Sequence, residues 1–293
     1  MFKSLKNLGI VLPALFFIAC ASAPVKDADK AEAPQAEDLS SAQAEEKPEW
    51  VTVTEDEFFV SQETIQYGDG FIDGYRLYEY DDNGRILKKT HIGSDEAVVS
   101  EELFYYEDGL LIRSEYISGN EVISQSVFSY DRDKQLVEES FMTPTGELQG
   151  VSSYEYDKEG HKIKWISGDS GGIPMMYTEY EYENDKISRI SFFLPAGEME
   201  GYTLLEYEAN TLISEATYTA SSKLEKKTEY VFQDGVMVKS LFYYGKNVSR
   251  TVEFSYDENG NVSEEKTLNR NGDTTDIILK EYVVIPVTKQ VLK

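Results

Sequence analysis

Cysteine and histidine are nearly missing from this sequence. Cys20 is the single cysteine, and the two histidines, His91 and His161, lie far apart in the chain. One cysteine excludes a disulfide within the chain, and neither histidine has a second Cys or His at zinc-ligand spacing. A hydrolase triad would need one isolated histidine to meet Ser and Asp by folding alone. We therefore expect no metal site and only surface histidines.

Motifs that bind phosphate or perform catalysis are also missing. The glycine-rich stretch from Gly168 to Gly172 lacks the Lys and the following helix that a phosphate-binding loop requires. Carboxylates are abundant, but they are spread evenly along the chain and not gathered at one place, as a pocket would require. The sequence predicts a protein that is not an enzyme, with no catalytic residues and no cofactor.

Positive charge is scarce. The 28 Lys and Arg residues face 54 Asp and Glu, which gives a formal net charge of −26. Such a charge repels phosphate backbones, so we expect no nucleic-acid partner. Apolar residues at helical spacing are scarce too, whereas the chain holds 21 Tyr and 14 Phe. The composition favours an all-β body.

The N-terminal residues 1–19 have the pattern of a signal peptide. Lys3 and Lys6 precede an apolar run from Leu8 to Ala19, which is shorter than the roughly 20 residues that span a bilayer. The run ends in Phe17-Ile18-Ala19-Cys20, which resembles the lipobox of bacterial lipoproteins. The alternative is that Cys20 is a small apolar residue in an uncleaved anchor.

The lipobox resemblance implies that Cys20 carries a diacylglycerol and that the new N-terminus is acylated, for example with palmitate. The acyl chains would attach the protein to the membrane. Ala21, where inner-membrane lipoproteins carry Asp, implies the outer membrane, with the periplasmic or the surface face left open. Residues 20–48 are rich in Ala, Pro and acidic residues and are expected to form a flexible tether.

Residues 49–293 carry an aromatic residue every 24 to 26 positions. A Gly-containing polar turn follows many of these markers, as in Asp81-Asp82-Asn83-Gly84, and an extended run follows the turn. Units of about 25 residues with two strands each predict an all-β, repetitive antiparallel β-meander, in an extended, twisted or coiled sheet of some seventeen strands. The nine markers, which we expect to form the repeat core, are Tyr80, Tyr106, Tyr130, Tyr156, Tyr182, Tyr207, Phe232, Tyr256 and Tyr282.

Alternation along the strands separates an aromatic face from a polar face. Each marker shares its face with the residue two positions earlier, such as Tyr78 before Tyr80. Glu79 and Glu155 lie between such pairs and belong to the opposite face. We expect the aromatic face to be buried and any function to lie on the other face.

Two families of repeat proteins resemble this pattern. Tyr80-Asp81-x-x-Gly84-Arg85-Ile86 looks like the YD repeat of Rhs-type proteins, and Tyr156-Asp157-x-x-Gly160 matches in part. The resemblance implies a coiled antiparallel sheet that forms a shell around a C-terminal toxin, although only a short segment follows the last predicted strand here. The stretch from Gly146 to Gly150 is similar to MORN-like repeats of antitoxin-related proteins.

The sequence leaves three functions open. The first is a lipid-anchored, non-enzymatic scaffold of the cell envelope that binds a protein or a glycan. The second is an outer-membrane β-barrel channel, against which stand the lipobox, predicted strands of only six to eight residues where about 9–11 are needed, and Glu on the second face. The third is an immunity or antitoxin-like repeat protein.

Overall fold

A computed structural model describes residues 50–292, and every regular element within that range is a β-strand. This part of the chain therefore contains no helix that could cross a membrane. The predictions for residues 1–19, residues 20–48 and Cys20 lie outside the described residues. The strands are β1 (Trp50–Tyr67), β2 (Ile72–Tyr80), β3 (Ile86–Gly93), β4 (Val98–Glu107), β5 (Leu110–Ser118), β6 (Glu121–Tyr130), β7 (Leu136–Met142), β8 (Leu148–Tyr156), β9 (Lys162–Asp169), β10 (Pro174–Glu183), β11 (Lys186–Phe193), β12 (Met199–Glu208), β13 (Thr211–Thr219), β14 (Leu224–Gln233), β15 (Val236–Tyr244), β16 (Asn247–Tyr256), β17 (Val262–Asn269) and β18 (Thr274–Leu292).

The 18 strands form one closed antiparallel barrel. Each strand pairs with the next one in the chain, and β1 pairs with β18 in addition to β2. The expected extended, twisted or coiled sheet is therefore wrong, because the sheet has no free edge along the barrel. Alternation and turns determine hairpins, but they do not determine whether the first and last strands meet.

The closing pair β18–β1 takes the place of a ninth hairpin. Eight hairpins are continuous in the chain, from β2–β3 to β16–β17, and in the ninth the two strands come from opposite ends of the body. The pairing runs from Trp50 to Tyr67, whereas β1 pairs with β2 only from Gln62 to Gln66. The outer parts of β1 and β18 therefore extend from the barrel as a two-stranded ribbon.

Each marker tyrosine lies next to a β-bulge and binds the neighbouring hairpin. In every hairpin the register shifts at the marker, as between Glu79 and Tyr80 on β2. The hydroxyl of the marker tyrosine donates to a backbone carbonyl on the preceding strand, and that carbonyl lies next to the bulge of the preceding hairpin. The eight bonds are Tyr80 to Val60, Tyr106 to Ile86, Tyr130 to Leu111, Tyr156 to Leu136, Tyr182 to Lys162, Tyr207 to Ile187, Tyr256 to Met237 and Tyr282 to Val262, with oxygen–oxygen distances of 2.5 to 3.1 Å.

Phe232, the ninth marker, has no hydroxyl and is 38% exposed, whereas the eight marker tyrosines are half-buried. The hydroxyl bonds follow one circle around the barrel, and the bond from Tyr80 to Val60 spans the junction of β1 and β2. The closing pair therefore has the same local geometry as the eight continuous hairpins.

The turns after the markers are held by short polar side chains. Asp81 Oδ1 accepts the backbone N–H groups of Asn83 and Arg85, each at 2.9 Å. Gly84 has a φ of 75°, in the left-handed region, and a Cβ added there would lie 2.3 Å from Phe59 Cζ of the ribbon. A glycine is required at this turn both by the backbone conformation and by the close approach of β1.

Backbone handedness places the aromatic face inward. The N–H of Asp81 donates to Arg85, so alternate residues of β2, including Tyr78, direct their backbone groups toward β1. Tyr78, two residues before its marker, pairs with Lys89, and Lys89 pairs with Glu102, four residues before the next marker. From one hairpin to the next, the pairing therefore moves two residues further from the marker. For L-residues in strands with the normal right-handed coil, this stagger requires the Tyr78 face to line the barrel.

The described residues have no packed core in the centre of the barrel. Only strands that are neighbours in the sheet approach within 8 Å between Cα atoms, so no strand contacts the opposite wall. The most buried side chains are small hydroxyl residues within the wall, such as Ser191 and Ser214, each 3% exposed. The folded part is therefore a wall one sheet thick around an open interior.

Candidate functional site

The inner wall carries a belt of side chains at one height, on the odd-numbered strands. Each belt residue pairs with the residue four positions before a marker, as Tyr116 pairs with Glu102 before Tyr106. The belt consists of Ile65, His91, Tyr116, Phe141, Ser167, Phe192, Thr217, Phe242 and Thr267. Six of their nine partners on the even strands are Ser, Thr or Val, whereas His91 and Tyr116 pair with Arg76 and Glu102.

Three neighbouring members of this belt are exposed rings, which we name the ring arc. They are His91 on β3, Tyr116 on β5 and Phe141 on β7. Tyr116 is 39% exposed and Phe141 is 38% exposed. Because consecutive members are two strands apart and offset by two residues along the strands, their backbones lie about 12 Å from one another. By contrast, the ring of Phe242 is covered by the Arg250 guanidinium at 4.0 Å.

Each ring of the arc lies between one polar and one small residue. His91 pairs with Arg76 on one side and with Ser100 on the other. The other two rings follow the same rule: Tyr116 lies between Glu102 and Ser124, and Phe141 lies between Ser126 and Gly150. The inner wall here alternates flat apolar faces with hydrogen-bonding groups.

A shallow depression of about 200 Å³ adjoins the first ring of the arc. Its lining includes Arg76, Lys89, His91, Ser100 and Glu102. Sequence reasoning did not find the arc, because it assigned functional weight to the opposite face and treated the inward aromatic residues as core. The available signal was the recurrence of a ring ten or eleven positions after Tyr106 and Tyr130.

Several charged side chains on the inner wall form ion pairs. Glu63 lies 3.1 Å from the Arg76 guanidinium and 3.6 Å from Lys280 Nζ, which also contacts Glu265 at 2.5 Å. Next to the arc, Lys89 Nζ lies 3.5 Å from Glu102. The wall around the arc is therefore polar, and Glu139, two residues before Phe141 on the same face, adds a further carboxyl.

The outer wall also carries paired charges. Lys88 contacts Glu101 at 2.5 Å, and Lys239 contacts Glu253 at 2.7 Å, in both cases between neighbouring strands. Four further outward pairs lie at 2.8 to 3.5 Å, namely Arg113–Glu115, Lys164–Glu179, Arg189–Glu181 and Lys227–Glu229. Neither wall is an uninterrupted apolar surface.

The histidines lie in different surroundings. His91 is an exposed residue of the ring arc, whereas His161 stacks on Tyr182 with ring centroids 4.6 Å apart and meets Asp157 Oδ2 at 3.1 Å. Within residues 50–292, no group of three or more His, Cys, Asp or Glu residues is arranged to hold a metal ion. The prediction that the protein is not an enzyme stays a prediction.

Comparison with known proteins gives structural neighbours only. No protein-family model and no curated protein matches the sequence. Among solved structures, the chain is similar to a porin-like protein from Bacteroides uniformis ATCC 8492, at 12% identity over 77% of this chain and 97% of that chain, with a TM-score of 0.43. A porin-like protein from Bacteroides vulgatus ATCC 8482 is 11% identical over 78% of this chain and 99% of that chain, with a TM-score of 0.31. The barrel architecture rests on the strand pairing, which closes between β1 and β18.

Proposed function

We propose that this chain forms a β-barrel channel in the bacterial outer membrane. The observation that carries the proposal is the closed ring of 18 strands around an interior that no strand fills. Antiparallel barrels of about 16–18 strands are wide enough to leave an aqueous passage. The paired charges and hydroxyl groups of the inner wall suit water and polar solutes.

Strand length supports the same proposal. Eight of the even-numbered strands have 9 or 10 residues. A membrane-spanning β-strand needs about 9–11 residues. The lengths expected from the sequence, six to eight residues, are too short for these strands but fit β3, β7, β9, β11 and β17, which have 7 or 8 residues. In this proposal the lipidated Cys20 adds a second attachment to the same membrane.

The outward ion pairs favour a second candidate, a barrel that is held at the membrane only by its lipid and serves as a scaffold. A Lys or Arg that faces lipid at the bilayer midplane costs about 2–4 kcal/mol. Pairs such as Lys88–Glu101 and Lys239–Glu253 carry no such cost on a surface that faces water. This candidate keeps the lipid-anchored scaffold and replaces its extended sheet with a closed barrel.

One exchange separates the two candidates. Residues 1–20 are replaced by a cleavable signal peptide without a lipobox, and the mature protein is followed by membrane fractionation. A channel stays in the outer membrane and requires detergent, and the wild-type protein produces discrete conductance steps in planar bilayers. Release of the unlipidated protein into the soluble fraction, without conductance from the wild type, would refute the channel and support the scaffold.

A further inference from the structure

We propose that the ring arc of His91, Tyr116 and Phe141 is a binding site for a neutral, linear glycan on the inner wall of the barrel. The inference deepens the proposed function and rests on it in one respect, because it gives the class of solute that the passage would take. The site itself requires only the closed barrel and the inward orientation of these strands.

The arrangement of the rings fits a sugar chain. A pyranose has a flat face of C–H groups that packs on an aromatic ring, and its edge carries hydroxyl groups that need hydrogen-bond partners. Tyr116 and Phe141 are exposed by more than a third of their surface. Their backbones lie about 12 Å apart, two strands across and two residues along, so an extended ligand can contact both rings at once.

The neighbours of the rings supply the polar contacts. Ser124 and Ser126 lie on β6, between the strands that carry Tyr116 and Phe141, and both point into the barrel. Glu102 lies on the other side of Tyr116, and Gly150 leaves the far side of Phe141 without a side chain. A ligand along the arc therefore meets a ring and a hydroxyl or carboxylate in alternation.

The charge balance indicates a neutral ligand. Glu102 has Lys89 as its partner at 3.5 Å, and Arg76 has Glu63 as its partner at 3.1 Å. An anionic or cationic polymer would have to separate these pairs, whereas hydroxyl groups can bond to them as they stand. Glu139 lies two residues before Phe141 on the same face, so the arc offers no positive surplus that would favour an acidic polysaccharide over a neutral one.

The arc differs from the rest of the belt in its accessibility. Phe242 lies at the same height, but the Arg250 guanidinium covers its ring. Ser167, Thr217 and Thr267 take the belt position on three other strands and have no ring. Exposed rings on three consecutive odd strands therefore occur at one sector of the belt, from β3 to β7.

Titration calorimetry of the full-length protein with defined hexasaccharides tests the proposal. The probes are maltohexaose, cellohexaose and N-acetylchitohexaose, with hexaguluronate as the anionic comparison. We expect at least one neutral probe to bind, and the double variant Tyr116→Leu, Phe141→Leu to weaken that binding at least tenfold. Leucine removes the flat ring and keeps an apolar side chain, so folding is retained.

Tyr244→Leu is the matched control, because Tyr244 is a 78% exposed ring on β15, outside the arc. This variant should bind the neutral probe within twofold of the wild type. The proposal is overturned if no neutral probe binds, if hexaguluronate binds more tightly, or if the double variant binds as the wild type does. Conductance is recorded on the same samples: binding without conductance refutes the channel alone, and conductance without binding refutes the glycan site alone.

Discussion

The Tyr80 hydroxyl donates a hydrogen bond of 2.8 Å to the carbonyl oxygen of Val60, and in doing so it joins the first continuous hairpin to the closing strand β1. The ring of Tyr80 also packs on Phe59, with centroids 5.1 Å apart. Two residues that are close in sequence thus fasten the closing pair β18–β1 to the first continuous hairpin.

Removal of this hydroxyl should weaken the junction. For Tyr80→Phe we expect a loss of about 1 kcal/mol in the free energy of unfolding, because one hydrogen bond is lost and the Val60 carbonyl is left without that donor. Urea denaturation followed by circular dichroism measures the change. Tyr130→Phe, which removes the corresponding bond to Leu111, is the control. A negligible loss at both positions would show that the hydroxyl circle contributes nothing to stability.

At Phe232 the opposite change is possible, because a hydroxyl can be added there. It is the one marker without a hydroxyl, and in the hairpin pattern its acceptor would be the Leu212 carbonyl, next to the bulge on β13. Phe232→Tyr should stabilise the protein by about 0.5–1.5 kcal/mol, the usual net contribution of one hydrogen bond. A rise in the melting temperature checks this expectation. Phe254→Tyr, on an inward residue two positions before a marker, is the control and should not give the same rise.

Gly84 should tolerate alanine worse than other turn glycines. Gly84→Ala places a Cβ against the Phe59 ring at 2.3 Å, whereas at Gly260 a Cβ meets nothing within 4 Å, and both residues have a positive φ. Gly260→Ala therefore carries only the backbone strain, and Gly84→Ala carries that strain together with a clash.

The comparison of their unfolding free energies isolates the clash. In a Phe59→Ala background, Gly84→Ala should lower the free energy of unfolding by about as much as Gly260→Ala does in the wild type. Equal costs for the two single variants would mean that the ribbon does not press on this turn.

Acid should remove one stabilising contribution from the turn after β16. The side-chain amide of Asn261, with the backbone N–H groups of Asn261 and Asn259, holds the pKa of Asp257 below its ordinary value. A carboxyl whose pKa is lowered by folding stabilises the protein above its unfolded pKa of about 3.9 and loses that contribution as the pH falls through the folded value. Asp257→Asn should therefore lower the melting temperature at pH 7.

That difference should shrink as the pH falls below about 3.9. Glu258→Gln, a charge change in the same turn, is the control and should give no comparable pH dependence. A difference between Asp257→Asn and the wild type that persists unchanged at pH 2 would contradict the assignment to the charged carboxylate.

Local features of the chain could be predicted where they depend on near neighbours. Period-two alternation around Tyr80, Tyr156 and Tyr256 predicts strands, and Asp-x-x-Gly turns predict their reversals. The exposure of the ring arc could not be predicted, because alternation shows which residues share a face with Tyr116 and does not show whether that face is packed or open. The resemblances to YD and MORN-like repeats stay predictions, as does lipidation of Cys20.

By itself, the sequence determined an all-β body of antiparallel hairpins, because alternation and turn chemistry act over a few residues. Only the tertiary structure decided that the sheet closes. Thr54 and Thr288 join their hydroxyl groups at 3.0 Å across 234 residues of chain, and a contact of that range leaves no trace in local periodicity. Closure depends on the summed stagger and coil of all 18 strands, and it turns the aromatic face from a core to be buried into the lining of an open barrel.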